Sequence, residues 1–304
     1  MKIAYGTKNH QIDVTEICFG NLANNNIITI PSDDVVRSNF FPNTIIDPFK
    51  YIFIMLDDYT FKYDNSYTIY IDLTNKTINT TNEYETKYNI LNKLSSIHRS
   101  LKIEYGSFEN EFPEQLMATR YLTGNEKVLE IGGNIGRNSL VIASILKQNN
   151  NPNFVSLESN FEIACQLRDN RDNNNLFFYI ENVALSKRKL IQKHWETMVS
   201  DEILDGYTPV KTITWSDLNN MYNIVFDTLV LDCEGAFYYI LMDMPEILNN
   251  IKLIIMENDY HNIEHKIYID EILKSNGFYV DYVESGGWGP CYNNFYEVWK
   301  RNIL

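Results

Sequence analysis

The chain has 304 residues, of which 44% are hydrophobic, so it can bury a full-sized core and is not an intrinsically disordered protein. Its formal net charge of −14 and pI near 4.8 would repel a phosphate backbone, which makes nucleic acid an unexpected partner. The N-terminus lacks the order of a signal peptide, and no apolar run approaches the roughly 18 residues that cross a bilayer. We therefore expect a soluble cytoplasmic protein with no membrane partner, located in a host cell if the gene is viral.

Residues 1–82 predict a small β-rich N-terminal module. Segments 27–30, 51–56 and 67–73 are rich in β-branched and aromatic residues and are separated by polar turn-forming residues. From residue 83 the spacing of Tyr88, Leu91, Leu94 and Ile97 predicts a helix with one apolar stripe. Residues 83–110 are accordingly interpreted as a helical linker to a main domain at residues 111–304.

The main domain alternates apolar strands with amphipathic helices. Strands are predicted at 128–131, 154–159, 176–180, 228–232 and 253–257, with two closing strands near 279–284 and 295–299. Helices are predicted between them, whereas segment 187–210 is polar and is interpreted as an irregular insertion near the mouth of an active site. This alternation predicts an α/β fold with a doubly wound, Rossmann-like sheet.

A glycine-rich turn follows the first of these strands. The segment Glu130-Ile131-Gly132-Gly133-Asn134-Ile135-Gly136 leads into an apolar helix, as nucleotide-cofactor loops do. A dinucleotide fingerprint would need a glycine where Asn134 stands, so NAD binding is disfavoured.

The spacing Glu130-x-Gly132-x-x-x-Gly136 instead resembles motif I of class I S-adenosylmethionine-dependent methyltransferases. The resemblance implies a carboxylate near the amino-acid end of the cofactor, and glycines whose missing Cβ atoms leave room for the ligand. Glu158 ends the next strand, where such enzymes place an acceptor for the two ribose hydroxyls. The predicted S-adenosylmethionine-binding residues are Glu130, Gly132, Gly133, Asn134, Gly136, Asn138, Glu158, Asn182, Val183 and Asp232.

Four segments, at 128–136, 182–186, 210–214 and 231–236, resemble successive motifs of the FkbM-type methyltransferases. Membership would imply transfer of a methyl group to a hydroxyl of a sugar or natural product. Two departures are visible: Gly133 stands where alanine is usual, and Phe237 stands where the family often carries a second glutamate. The second departure concerns the acceptor more than the reaction.

Acids at the predicted strand ends are candidates for activating a hydroxyl. The candidate catalytic residues are Asp232 and Glu234 after one strand, and Glu257 and His261 at and after the next. Either Asp232 or His261 accepts the proton directly, or Asp232, Glu257 and Asn258 hold Mg²⁺, which lowers the hydroxyl pKa. The metal set is similar to that of catechol-type O-methyltransferases, which place an acid after strand four and an acid-Asn pair after strand five.

The sequence predicts an O-methyltransferase acting on a sugar, a sugar nucleotide or a related small molecule. Glycines and aromatics in segment 285–292 suit a loop over a sugar ring, although they equally suit a turn between the last two strands. The alternatives are methylation of nitrogen or of a carboxylate, or a non-catalytic scaffold with a methyltransferase-like core. A homodimer is a further expectation.

Overall fold

The chain divides into two compact units, residues 1–91 and residues 92–304. The computed structural model describes residues 1–24, 26–42, 50–57, 59–194 and 196–301, apart from the side chains of residues 83–85. Within these residues, no helix combines the length and the apolar character that crossing a membrane requires.

The first unit consists mainly of two antiparallel four-stranded sheets, in the orders β2-β1-β5-β6 and β3-β4-β7-β8. Alternate residues of the strands, such as Ile3, Ile28 and Ile69, enter a common hydrophobic core. The strands predicted at 27–30, 51–56 and 67–73 are all present. The elements are β1 (Lys2–Gly6), β2 (Gln11–Asp13), α1 (Thr15–Asn21), β3 (Ala23–Asn24), β4 (Ile27–Ile30), α2 (Asp34–Arg37), β5 (Tyr51–Leu56), β6 (Tyr59–Tyr63), β7 (Tyr67–Asp72) and β8 (Thr77–Asn82).

Helix α3 (Glu83–Ser100) begins directly after β8 and extends into the second unit. Leu94 and Ile97 are buried in a core of the second unit, as their spacing predicts. Tyr88 does not belong to the buried stripe, because 65% of its surface is exposed.

The second unit alternates strands and helices in the predicted manner. Its elements after α3 are α4 (Phe112–Tyr121), β9 (Val128–Ile131), α5 (Arg137–Lys147), β10 (Phe154–Leu157), α6 (Phe161–Asp172), β11 (Tyr179–Glu181), β12 (Ala184–Leu185), β13 (Leu190–Lys193), β14 (Glu196–Val199), β15 (Thr208–Val210), β16 (Thr212–Ile213), α7 (Trp215–Tyr222), β17 (Thr228–Leu231), α8 (Ala236–Asp243), β18 (Leu253–Glu257), α9 (Ile263–Ser275), β19 (Phe278–Glu284) and β20 (Tyr296–Arg301).

Seven of these strands form one sheet in the order β11-β10-β9-β17-β18-β20-β19. The first five run parallel, and the last strand of the chain, β20, is antiparallel to both of its neighbours. Helices alternate with the parallel strands of this sheet, so the predicted α/β fold class with a doubly wound, Rossmann-like sheet is confirmed. Strands β9, β10 and β17 are buried along their whole length, which explains their continuous apolar sequences.

Two segments differ from their predicted structure. The third strand covers Tyr179–Glu181 instead of 176–180, because Leu176 and Phe178 fill the core without needing to pair in the sheet. Segment 187–210 is not irregular: β13 pairs with β14 on one side and β15 on the other. Only β13 buries side chains in this small sheet, so the segment lacks a strong hydrophobic pattern.

Candidate functional site

The carboxyl ends of the central strands bring the candidate residues to one edge of the sheet. Ile131 of β9 pairs with Leu157 of β10 on one side and with Leu231 of β17 on the other. The next residue in each strand therefore lies at the same level, and these residues are Gly132, Glu158 and Asp232. Ligands of doubly wound folds bind at this edge.

The glycine turn is held by backbone hydrogen bonds and by close packing within the protein. The N–H groups of Gly132 and Gly133 both donate to the carbonyl of Leu157, at 3.0 Å. A Cβ on Gly132 would lie 1.6 Å from the Asp232 carbonyl oxygen, one on Gly133 2.1 Å from the Ser156 hydroxyl, and one on Gly136 2.4 Å from a Leu167 methyl. Gly132 is thus required by a backbone contact inside the protein, and Gly133 and Gly136 are packed against side chains, whereas the glycines were predicted from the sequence to make room for a ligand.

Glu158 connects the turn to the second strand. One of its carboxylate oxygens accepts the backbone N–H of Asn134 at 3.0 Å, and the other accepts that of Asn160 at 2.7 Å. Asn134 itself has a φ of +46°, a left-handed conformation that asparagine tolerates better than most residues. Because a carboxylate has about four acceptor positions, Glu158 keeps capacity for further donors.

A cavity of about 520 Å³ lies against this edge, within the usual size range of small-molecule sites. Its lining includes polar groups from the strand ends and the glycine turn, and both apolar and polar side chains from segment 187–210. The lining residues are Ile131, Gly132, Asn134, Leu157, Glu158, Ser159, Val183, Ala184, Leu185, Ser186, Arg188, Leu190, Gln192, Thr197, Met198, Val199, Asp232, Cys233, Glu234, Ala236, Tyr239, Ile240, Asp243 and Met244.

The cavity brings together some of the predicted site residues and leaves others outside its lining. Those that line it are Gly132, Asn134, Glu158, Val183, Asp232 and Glu234. Those outside the lining are Glu130, Gly133, Gly136, Asn138, Asn182, Glu257, Asn258 and His261.

Glu130 is buried inside the protein, where its hydrogen bonds stabilise the turn. One of its carboxylate oxygens accepts the hydroxyls of Ser139 and Ser156, at 2.5 and 2.6 Å, and the residue is 2% exposed. Burial raises the pKa of Glu130 to about 7, although the two hydroxyl hydrogen bonds oppose the shift. The predicted contact between Glu130 and the cofactor's amino-acid end thus has no counterpart in the cavity lining.

Asn182 is likewise occupied by the protein. Its side-chain amide donates to the backbone carbonyls of Glu158 and Ser159, both at 2.9 Å. It therefore fixes the loop that carries Glu158, and Val183 is the neighbour that faces the cavity.

Three carboxylates, including that of Asp232, lie close together. Glu114 in the first turn of α4, Asp232 and Glu257 each place an oxygen within 4.8 Å of the other two. Glu114 was not predicted as a site residue, because an acid in the first turn of a helix is expected from its stabilising effect on the helix alone. Asn258, the third predicted metal ligand, donates its side-chain amide to the Asn294 carbonyl at 2.6 Å, and its side-chain oxygen is buried without a hydrogen-bond partner.

The electrostatics of this group are unfavourable for three charges. Burial raises the pKa of Asp232 well above its ordinary value, and the charges of Glu111 and Glu114 add to the effect. Burial also raises the pKa of Glu257, with Asp232 as the next cause, and the pKa of Glu114. Arg137 lies nearby, but its guanidinium binds Glu111 at 2.5 Å.

His261 and Glu234 lie at the outer side of the site. The His261 ring lies 4.4 Å from the Trp288 ring, at a 43° tilt. Glu234 has a φ of +51°, a strained backbone for a glutamate, and burial raises its pKa while the charge of His261 lowers it. Phe237, at the position of the family's second glutamate, is fully buried in the core.

Part of the cavity lining comes from the small sheet in segment 187–210. Leu190 and Gln192 of β13 and Met198 of β14 all face the cavity. Gln192 is 9% exposed, and its side-chain oxygen accepts the Ser159 hydroxyl at 3.2 Å. The expectation that this segment lies near the site is met, whereas its individual residues gave no signal in the sequence.

No family model matches the chain, and no curated protein matches it. Among solved structures, the ribosomal protein L11 methylase of Lactobacillus delbrueckii subsp. bulgaricus is 10% identical, with a TM-score of 0.40 over 65% of this chain and 81% of that one. An O-methyltransferase of Bacillus cereus, solved with SAH, is 14% identical, with a TM-score of 0.39 over 71% and 91%.

A methyltransferase of Pyrococcus furiosus is 14% identical, with a TM-score of 0.39 over 72% of this chain and 100% of that one. At these values the likeness says nothing about substrate or site residues. The resemblance to FkbM-type enzymes stays a prediction from the sequence motifs.

Proposed function

We propose that this protein transfers the methyl group of S-adenosylmethionine to a hydroxyl of a small molecule. The observation that carries the proposal is the common position of Gly132, Glu158 and Asp232 on one wall of the cavity. The ribose hydroxyls would donate to the free acceptor positions of Glu158. Val183 and the apolar side chains of the lining would cover the adenine, which would place the sulfonium toward Asp232.

The residues at the strand ends would then serve the transfer. A lone pair of the acceptor oxygen forms the bond to the methyl carbon, the carbon–sulfur bond breaks toward sulfur, and the hydroxyl proton passes to a base. Asp232 is the carboxylate that both lines the cavity and adjoins the acid group, so we assign the activation of the hydroxyl to it. A positioned base contributes roughly 10²–10⁴-fold to such a step.

A sugar or sugar nucleotide is the acceptor that we propose. Support comes from the FkbM-like motifs and from the exposed indole of Trp288 beside His261, since aromatic faces pack well against the C–H surface of a sugar. Incubation with labelled S-adenosylmethionine and a panel of nucleotide sugars, amines and carboxylates tests this choice. Label in the amine or carboxylate products alone would refute it.

Calorimetric titration with S-adenosylhomocysteine tests the cofactor. The wild-type protein should bind it, and Glu158→Ala should weaken binding by about tenfold or more, or roughly 1.4 kcal/mol. Asp232→Asn should lose at least a hundredfold in turnover while it retains cofactor affinity. Absence of binding to the wild type would refute the proposal, and unchanged turnover of Asp232→Asn would remove that residue from the mechanism.

A further inference from the structure

Three segments that are far apart in the chain place one carboxylate each at the same point. The pairing of Leu231 with Met256 puts Asp232 and Glu257 side by side at the ends of β17 and β18. Helix α4 packs against β18 and β20, and its first turn directs Glu114 toward the same position. The tertiary structure therefore creates the group, and no local motif contains it.

The group is only partly satisfied by hydrogen bonds: the side chains of Glu114 and Glu257 hydrogen-bond to each other, which requires one proton between the two carboxyl groups. Glu114 is 6% exposed, and one of its carboxylate oxygens is buried without any hydrogen-bond partner. Buried carboxylates in proteins are paired, protonated or bound to a metal ion. The guanidinium of Arg137 is bound to Glu111, so among the described residues it forms no ion pair with the three carboxylates, although its charge lowers the pKa of Glu114.

The spacing of the oxygens fits a single cation. Hard divalent cations bind oxygen ligands at about 2.0–2.6 Å, so ligands on opposite sides of one ion are about 4–5 Å apart. One oxygen from each of the three carboxylates lies within 4.8 Å of the others. Three carboxylate oxygens select Mg²⁺, Mn²⁺ or Ca²⁺ over softer metals.

We infer that Glu114, Asp232 and Glu257 form a binding site for one hard divalent cation, with Mg²⁺ or Mn²⁺ as the class of ligand. The ligand from α4 distinguishes this site from the set that the sequence predicts, in which Asn258 takes the third position. Asp232 also lines the cavity, so the cation would adjoin the acceptor and lower the pKa of its hydroxyl. Asp232 would then activate the hydroxyl through the cation, and the proton would pass to solvent. This role rests on the proposed methyl transfer, whereas binding of the cation does not.

Titration of metal-free protein with MnCl₂, followed by the electron paramagnetic resonance signal of free Mn²⁺, tests the site directly. One Mn²⁺ should bind per wild-type chain, and Mg²⁺ should displace it. Glu114→Gln should weaken Mn²⁺ binding by about tenfold or more, because it removes one charged ligand. Glu109→Gln is the matched control, because Glu109 is exposed on the segment that precedes α4. The Mn²⁺ affinity of this variant should equal that of the wild type.

Two outcomes would overturn the inference: no stoichiometric Mn²⁺ binding to the wild type, or equal binding to Glu114→Gln. Glu257→Gln provides a second variant, which should lose Mn²⁺ affinity in the same way. Thermal melting in EDTA shows whether each variant folds. Millimolar Mg²⁺ should raise the melting temperature of the wild type and leave that of Glu114→Gln unchanged.

Calorimetry with S-adenosylhomocysteine in EDTA separates this site from the proposed function. Cofactor binding without Mn²⁺ binding would overturn the cation site alone. It would mean that protons shared between the carboxyl groups, and not a cation, stabilise this group. Mn²⁺ binding without cofactor binding would support the cation site and refute methyl transfer.

Discussion

Gly132 has a φ of +92°, and a Cβ on it would meet the backbone of Asp232 at 1.6 Å. Both the left-handed conformation and the contact exclude other residues, but the two effects have different consequences. The conformation costs about 1–2 kcal/mol for an L-residue, whereas the contact forces β9 and β17 apart at the candidate site.

Gly132→Ala and Gly277→Ala separate these effects. Gly277 has a φ of +80° but open space around its Cβ position, so its variant should lose about 1 kcal/mol of unfolding free energy and keep its affinity for S-adenosylhomocysteine. Gly132→Ala should lose more stability, about 3 kcal/mol, and the affinity as well. Urea unfolding and calorimetry measure the two quantities. Equal effects of the two substitutions would show that packing against Asp232 is unimportant.

Glu130 is a second residue whose environment sets a measurable property. Burial raises its pKa to about 7, and the charges of Glu111 and Glu158 contribute in the same direction. Since its folded pKa exceeds the unfolded value, the stability from its protonated form is fully present below the unfolded pKa. That stability is lost as the pH rises through the folded pKa near 7.

Glu130→Gln should therefore gain stability relative to the wild type as the pH rises from 4.5 to 8, by on the order of 3 kcal/mol. Urea unfolding of both proteins across this range measures the difference. Glu126→Gln is a control of opposite sign: hydrogen bonds from Thr123 and Gly124 outweigh burial and lower the pKa of Glu126. The stability that the ionised Glu126 side chain contributes is lost as the pH falls. A difference for Glu130→Gln that does not change with pH would show that this carboxyl stays ionised.

At the scale of elements, the small sheet of β13, β14 and β15 completes the cavity. It supplies part of the cavity lining, and Gln192 of β13 accepts a hydrogen bond from Ser159, the residue after Glu158. The sheet thus couples the insertion to the loop that we propose binds the ribose.

Gln192→Ala should weaken binding of S-adenosylhomocysteine by about tenfold, because it opens the cavity wall and leaves the Ser159 hydroxyl without its acceptor. The exposed residue Gln148 serves as control, and Gln148→Ala should bind like the wild type. Calorimetry on the three proteins provides the comparison. An unchanged affinity of Gln192→Ala would mean that the insertion does not contribute to the cofactor site.

At the scale of the whole molecule, the cavity-lining residues all fall between Ile131 and Met244, in the second compact unit. The sequence-based boundary between residues 82 and 83 coincides with the end of β8 and the start of α3. Keeping α3 intact preserves Leu94 and Ile97 in the core of the second unit.

A fragment of residues 83–304 should fold and bind S-adenosylhomocysteine with the affinity of the full chain. Calorimetry and thermal melting of both proteins test this expectation. A fragment that begins at residue 101 is the control, and it should be unstable because it lacks the buried side chains of Leu94 and Ile97. Loss of binding in the longer fragment would show that the site depends on residues 1–82.

The sequence by itself determined the order of the strands and helices of the seven-stranded sheet, because continuous apolar runs such as Leu229–Leu231 and Leu253–Met256 are typical of strands buried on both faces. It also located the glycine turn and placed Asp232 and Glu257 at one sheet edge, since the carboxyl ends of parallel strands share an edge. These inferences depend on local pattern and on rules that hold for all such sheets.

Only the tertiary structure decided the direction of each side chain and the contacts between distant segments. It turned Glu130 toward two serines, brought Gln192 into the cavity wall and joined Glu114 to Asp232 and Glu257. Such contacts leave no periodic signal, because each depends on how a helix or an inserted sheet packs against the edge. Residues distant in sequence become neighbours only once that packing exists.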